Sequence, residues 1–333
     1  MEIIRSTREI LPYNSRVFNE YFGGLTMGVI DIETDGLNPS YCKVILGGLL
    51  TLSGNQADII QYFAREKQDE EELLQAYANA FASCDILLTY NGERFDLPFI
   101  RQRSRKYQLD PGLEDLQSLD LYRVINNYSN FRDFLPDLKQ KSIERFLGLS
   151  ELREDEISGA ESVELYRYFL KTGSEESRRK ILLHNRDDLV QLSSLMRVLD
   201  KLDLHRVAFH EGFTVTAGDK KAIVKRIDFS NGSLNIKGRT SKLSQDYYSF
   251  DSACRASHRA KEKELMLTIP YEKKQGAIFI DLEAFGLDFS ALESYPAWES
   301  GYLILRDKDK VNCAEINKTI KIILSEILSE RML

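Results

Sequence analysis

The chain has 333 residues, 43% of them hydrophobic, and carries a formal net charge of −7. That length supports one large core and a smaller second one, and the acidic balance excludes a simple basic coat for nucleic acid. No run approaches the ~18 apolar residues of a membrane helix, and residues 1–8 are charged and lack an apolar signal core, so a cytoplasmic protein without membrane association is expected.

Residues 1–24 read as an extended lead-in with a short helix and a break at Gly23-Gly24. The apolar run Met27-Gly28-Val29-Ile30-Asp31-Ile32-Glu33-Thr34 stops at Asp35-Gly36 and predicts a buried strand ending in a turn. Residues 44–52 and 57–63 predict two more strands, with Gly54-Asn55 as the hairpin signal, giving three antiparallel neighbours. Residues 69–83 have helical periodicity with acids in the first turn, which suits the helix dipole. Residues 85–91 predict a fourth strand. Residues 95–107 predict a helix with an exposed basic face of Arg101, Arg103, Arg105 and Lys106. A short strand over 116–121 and helices over 122–128, 138–147, 162–170 and 174–202 follow. The pattern is that of an α/β domain with a mixed sheet flanked by helices, spanning residues 25–203.

Past residue 204 the texture changes to short strand-like runs at 213–216, 222–229, 233–237 and 277–281, then helical spacing over 311–333. A smaller α+β domain of unknown role is expected over 204–333. The halves differ in charge. Residues 205–333 hold 20 Lys and Arg against 18 Asp and Glu, and residues 1–204 hold 25 against 34. An acidic half binds phosphate poorly unless cations offset its charge. The four cysteines, Cys42, Cys84, Cys254 and Cys313, form no C-x-x-C pair, which argues against zinc and for a reducing compartment.

Three stretches carry chemistry. Asp31 and Glu33 are i and i+2 on a strand, so they share a face. Side by side at the end of an apolar element they repel and lose hydration, a cost that a hard divalent ion with oxygen ligands offsets. Asp96, in Asn91-Gly92-Glu93-Arg94-Phe95-Asp96-Leu97-Pro98-Phe99, opens a helix at a strand's carboxyl end, where α/β sheets place sites. Taken alone it is an ordinary first-turn charge. In His184-Asn185-Arg186-Asp187-Asp188, His184 and Asp188 are i and i+4 and share a helix face. Taken alone they are a polar pair, and Asp187, one helical step away, is expected to face solvent.

Together these stretches resemble the DEDD-type 3′–5′ exonucleases of the ribonuclease H-like fold, and among them the YprB-like predicted-exonuclease branch. Asp31 and Glu33 match the first motif, Asp96 the second, and His184 with Asp188 the third, over about residues 25–203. The His-x-x-x-Asp spacing departs from the family, combining the spacing of its tyrosine subclass with the residue of its histidine subclass. The resemblance implies a metal-dependent exonuclease acting on single-stranded DNA or RNA. Asp31, Glu33, Asp96 and Asp188 would hold two Mg²⁺ or Mn²⁺ ions, and His184 would act as base or water-orienter. Asn91 and Phe95 are expected against the terminal nucleotide, Asp120 in a structural role, and Lys139 and Lys141 on a solvated face. Two alternatives stay open: an inactive nucleic-acid-binding or scaffolding module on the same fold, and an endonuclease. Ile280-Asp281-Leu282-Glu283 repeats the first motif without partners and is read as a decoy. His205, His210 and His258 lack ligand-like spacing and are expected to be superficial or locally satisfied.

Overall fold

A computed structural model describes residues 1–149, 153–155 and 157–331. It divides into two compact units, Met1–Ser15 with Gly24–Leu202, and Arg16–Gly23 with Asp203–Leu333. Of the helix expected over 311–333, residues 332 and 333 lie outside the described residues. The stretch read as a lead-in contributes to both units. It holds strand β1 (Glu2–Glu9), which pairs in the first unit's sheet, and helix α1 (Arg16–Phe22), which belongs to the second unit. The charged, weakly apolar sequence of β1 suits its place at the sheet edge, where polar residues discourage further pairing.

The first unit is built on a six-stranded mixed sheet. Strands β2 (Met27–Thr34), β3 (Val44–Ser53), β4 (Gln56–Phe63), β5 (Ile86–Thr89) and β6 (Gln117–Asp120) join β1 in the order β1-β4-β3-β2-β5-β6. The pairs β1–β4, β4–β3 and β3–β2 are antiparallel, and β5 and β6 run parallel to β2. Gly54 supplies the left-handed turn between β3 and β4, with φ +59°. Seven successive residues of β3, Val44 to Leu50, are buried, as expected for a strand covered on both faces. On one side α2 (Glu70–Phe81) and α3 (Asp96–Lys106) bury Leu73, Leu74, Tyr77, Phe81, Phe99 and Ile100 with Ile30, Ile32 and Leu49. Helices α4 (Leu121–Tyr128) and α5 (Gln140–Phe146) precede the pair that supplies the second cluster. That pair is α6 (Gly159–Thr172) and α7 (Glu175–Leu195), which bury Tyr166, Phe169 and Ile181 with Ile45, Leu46 and Phe63. A Ser158–Glu161 capping box starts α6, and Ser174 caps α7 by accepting the Ser177 N–H.

The exposed basic face expected on α3 is corrected at Arg103, which is buried. It stands three residues after Ile100, on the core side of the helix. Its guanidinium donates from Nε and Nη2 to both oxygens of buried Glu70 at 2.7 and 2.5 Å, and Tyr107 adds a third bond to the same carboxylate. Two opposite charges from facing helices thus share one buried site, a pairing that single-helix periodicity does not register.

In the second unit, α8 (Leu204–Glu211) leads into a six-stranded antiparallel sheet. It comprises β7 (Phe213–Ala217), β8 (Lys220–Ser230), β9 (Ser233–Ser241), β10 (Tyr247–Phe250), β11 (Arg255–Arg259) and β12 (Glu264–Pro270), ordered β10-β11-β12-β9-β8-β7. A smaller sheet follows, of β13 (Glu272–Lys274), β14 (Ala277–Asp281), β15 (Tyr302–Asp307) and β16 (Lys310–Val311), and then α9 (Cys313–Glu326). Tyr21 of α1 joins this unit through hydrogen bonds with His205 Nδ1 at 2.7 Å and Asn317 Nδ2 at 3.0 Å. His258 is buried and satisfied by Thr240 Oγ1 and the Gln245 carbonyl. Asp281 and Glu283 are exposed, with Asp281 accepting the Glu283 N–H, so the repeated first motif is a strand end before a turn.

One glycine decides how closely α7 approaches the sheet. A Cβ on Gly48 of β3 would lie 2.3 Å from Asn185 Oδ1 and 2.8 Å from a Leu189 methyl of α7. Gly48→Ala is expected to destabilise the protein by about 1–3 kcal/mol through overpacking. Urea unfolding checks this, and a midpoint equal to wild type would show that the helix tolerates the added methyl.

Candidate active site

The carboxyl end of β2, the first turn of α3 and the middle of α7 bring the predicted residues to one open cleft of about 700 Å³ in the first unit. Asp31, Glu33, Asp96, His184 and Asp188 line it, together with Asn91, Phe95, Lys139, Lys141 and Arg167. Glu33 and Asp96 are buried, and Asp31 is half-buried. Asp96 Oδ1 accepts the backbone N–H of Ile32 at 3.1 Å, so the second motif is tied directly to the first. Asp120, at the end of β6, accepts the N–H groups of Asn91 and Glu93 at 2.8 and 3.0 Å and also caps α4. It therefore holds the turn before Asp96, in which Asn91 adopts φ +63°.

Helix α7 uses four of five consecutive positions. His184 Nε2 stands 3.8 Å from Glu33 Oε1 and 3.6 Å from Asp188 Oδ2, so the i,i+4 spacing does place the imidazole beside the aspartate. Asn185 donates to Asp31 Oδ2 at 2.8 Å, and Gln61 of β4 donates to Asn185 Oδ1 at 2.8 Å, which fixes the amide's orientation. Asp187 corrects the solvent-facing expectation: it is buried. Its Oδ2 accepts the N–H groups of Glu154 and Asp155 at 2.6 and 2.8 Å, because the segment between α5 and α6 crosses that face of the helix.

That segment supplies the residues sequence reasoning missed. Asp155 Oδ2 lies 2.6 Å from His184 Nδ1. Its ionised carboxylate can only accept, so Nδ1 carries the proton, and in the neutral ring Nε2 faces the cleft as the acceptor. Arg153, half-buried, contacts Asp188 Oδ1 at 2.6 Å, Asp155 Oδ1 at 2.6 Å and Glu144 at 2.8 Å. Arg153 and Asp155 fall in a polar stretch without periodicity, so nothing in their spacing separates them from loop charges. The pairing of Asn185 with Asp31 had a signal in the His-Asn-x-Asp-Asp stretch itself.

The electrostatics follow from crowding. Burial, then the charges of Asp188, Asp96 and Glu33, hold the Asp31 carboxyl well above its usual range. Burial pushes Glu33 up to about 7 against the opposing pull of His184, and Asp96 up to about 7 against the Ile32 hydrogen bond. Asp188 is raised by burial and restrained by His184 and Arg153. Burial alone would lower His184, but Asp155, Asp188 and Glu33 together raise it. Burial opposes ionisation of Asp155, yet His184 and Arg153 bring it down to about 2. Ligand atoms of Glu33, His184 and Asp188 lie within 4.8 Å of one another, and the oxygen-rich donor set around them suits a hard cation.

An acid raised on folding binds protons more tightly in the folded state, so its stabilising contribution is present below its unfolded pKa and lost as pH rises through the folded one. In EDTA, stability is expected to fall as pH rises from about 4.5 to about 7 as Glu33 deprotonates. Glu33→Gln is expected to flatten that slope, read as unfolding midpoints across pH. An unchanged slope would contradict the crowding.

A family model and several known proteins match parts of the chain. The family model described as the RNase_H superfamily matches residues 29–200, just over half of the chain. An uncharacterised protein of Methanocaldococcus jannaschii is 29% identical over 189 residues, covering 53% of this chain and 96% of that protein. A PolC-type DNA polymerase III of Ureaplasma parvum is 27% identical over 146 residues, covering 37% of this chain and 10% of the polymerase. Among solved structures, the family B DNA polymerase of Pyrobaculum calidifontis superposes with a TM-score of 0.43 at 16% identity, over 53% of this chain and 24% of that one. E. coli exonuclease I in complex with an oligonucleotide superposes with a TM-score of 0.35 at 11% identity, over 64% of this chain and 54% of that one. The chain thus spans about a tenth of one polymerase, a quarter of the other and half of the exonuclease. Among the described residues no helix is long and apolar enough to cross a membrane. The chain belongs to the RNase_H superfamily.

Proposed function

We propose that this member of the RNase_H superfamily is a metal-dependent 3′–5′ exonuclease of single-stranded nucleic acid. The observation that carries the reading is the convergence of Asp31, Glu33, Asp96 and Asp188 on one cleft beside a histidine whose Nε2 faces them. Those four carboxylates would hold two Mg²⁺ or Mn²⁺ ions. When bound, such ions supply charge for the phosphate and the leaving oxygen and activate water. Their fit rests on the donor set: oxygen ligands, crowded and desolvated enough to hold protons near neutral pH without a cation.

This chain's own residues do the rest. His184 accepts the attacking water's proton at Nε2, and Asp155 holds the ring in the tautomer that leaves Nε2 free. Asn185 and Gln61 orient Asp31, and the Ile32 N–H orients Asp96. Asn91 and Phe95 hold the terminal nucleotide by hydrogen bond and by stacking. Hydrolysis breaks the bond from phosphorus to the 3′ oxygen of the preceding nucleotide, leaving a new 3′ hydroxyl and a released nucleoside monophosphate. The 3′ polarity rests on the resemblance to DEDD-type exonucleases.

One contact favours a second reading. The Arg153 guanidinium already sits on Asp188. A nucleic-acid-binding module could use that internal cation in place of a metal.

The test uses 5′-labelled single strands of DNA and RNA, linear and circular, with Mn²⁺. Wild type is expected to give a ladder shortening from the 3′ end of linear strands only, and Asp188→Ala no ladder. Asp155→Asn is expected to lower kcat by about 10- to 100-fold with little change in KM. Cleaved circles would make the enzyme an endonuclease. No cleavage by wild type would favour the binding module.

A further inference from the structure

The outward face of the larger sheet in the second unit combines exposed rings with cations. Alternation along the strands sends Leu234 and Ile236 of β9 and Leu265, Leu267 and Ile269 of β12 inward, where they are buried. The opposite face has no such cover. Phe250 is 81% exposed, Tyr248 54% and Met266 41%. Tyr248 and Phe250 are two apart on β10, so both rings stand on one face, roughly 7 Å apart along the strand.

The ladder register sets cations beside them. Phe250 lies opposite Arg255 of β11. Tyr248 begins a row that runs through Ser257 and Met266 to Lys237 and then Arg226. The acids on this face are engaged: Glu264 pairs with Arg259, and Asp228 with Arg226 at 3.2 Å. Lys237 and Arg255 are exposed and make no ion pair with any described residue. The face is therefore net positive although the chain is net acidic.

We infer that this face binds single-stranded nucleic acid. Unstacked bases lie on Tyr248 and Phe250, and the phosphates between them meet Arg255 and the Lys237 row. An open antiparallel sheet whose outward aromatics stack bases while flanking cations follow the backbone is a general solution for single strands. Ser257 separates Tyr248 from Met266, and Arg255 separates Phe250 from Thr268, so the patch has no continuous apolar centre of the kind that protein docking needs. The choice of a nucleic acid as occupant rests on the nuclease reading. The role it gives to residues 203–331, that of a second hold on the strand, goes beyond it.

The test is fluorescence anisotropy of a labelled oligo(dT) and a labelled oligo(U) with the full chain in EDTA, where no turnover is needed. Tyr248→Ala with Phe250→Ala is expected to weaken binding by about tenfold or more. Lys237→Glu with Arg255→Glu is expected to weaken binding and to lower the dependence of log affinity on log salt by about 2. Tyr302→Ala, which removes an exposed ring from the smaller sheet, is the comparison and should bind as wild type does. All five changed side chains are exposed, and circular dichroism checks that the variants fold. Equal affinity of both double variants and wild type, or no binding by wild type, overturns the proposal. Face-dependent binding without cleavage in Mn²⁺ contradicts the nuclease reading alone. Cleavage in Mn²⁺ with face-independent binding contradicts this inference alone.

Discussion

Asp31, Glu33, Asp96 and Asp188 repel one another and lose water in the same cleft, and the first unit is arranged to hold them there regardless. Three of them are restrained by different neighbours. Asp31 is held by Asn185, Asp96 by the Ile32 N–H, and Asp188 by Arg153. The restraints come from β2, β4, α7 and the segment before α6, so a loss of packing in any of these relaxes the cluster. Crowded acids of this kind lower stability when uncompensated. Their convergence in one cleft is the feature on which the proposed cation-dependent reaction rests.

Helix α7 is the element through which this works. It can lie close enough to β3 only because Gly48 has no side chain. From that distance it sends His184 and Asp188 into the cleft, Asn185 beneath Asp31, and Asp187 outward to grip the backbone of residues 154 and 155. The last contact looks remote from chemistry but sets the position of Asp155, which in turn orients His184. Arg8 of β1 reaches Glu154 at 3.3 Å, so even the edge strand takes part in holding that segment.

The sheet strands carrying the motifs were legible because apolar runs closed by Gly or Asn turns leave few other readings. The i,i+2 and i,i+4 spacings placed Asp31 with Glu33 and His184 with Asp188 correctly, since those relations depend on local geometry alone. What escaped depended on partners distant in sequence. Asp155 is 29 positions from His184, in a polar loop. Arg103 and Glu70 neutralise each other across two helices, and Asp187 faces a loop whose path no periodicity encodes. Strand β11 escaped for another reason. Arg255-Ala256-Ser257-His258-Arg259 alternates in burial, yet its inward residues are an alanine and a hydrogen-bonded histidine, which weakens the period-2 signal.

The proposed metal cage is reached most directly by counting bound ions, without reference to any substrate. Manganese binding followed by electron paramagnetic resonance, beside calorimetric titration, measures stoichiometry on the full chain. Two Mn²⁺ per wild-type chain are expected, with binding weakened or lost in Asp31→Asn and a Tm that rises with Mn²⁺ only where ions bind. A wild-type chain that takes up no more Mn²⁺ than Asp31→Asn, and melts at the same temperature with and without it, would contradict the cage and leave the four carboxylates without the cation proposed for them.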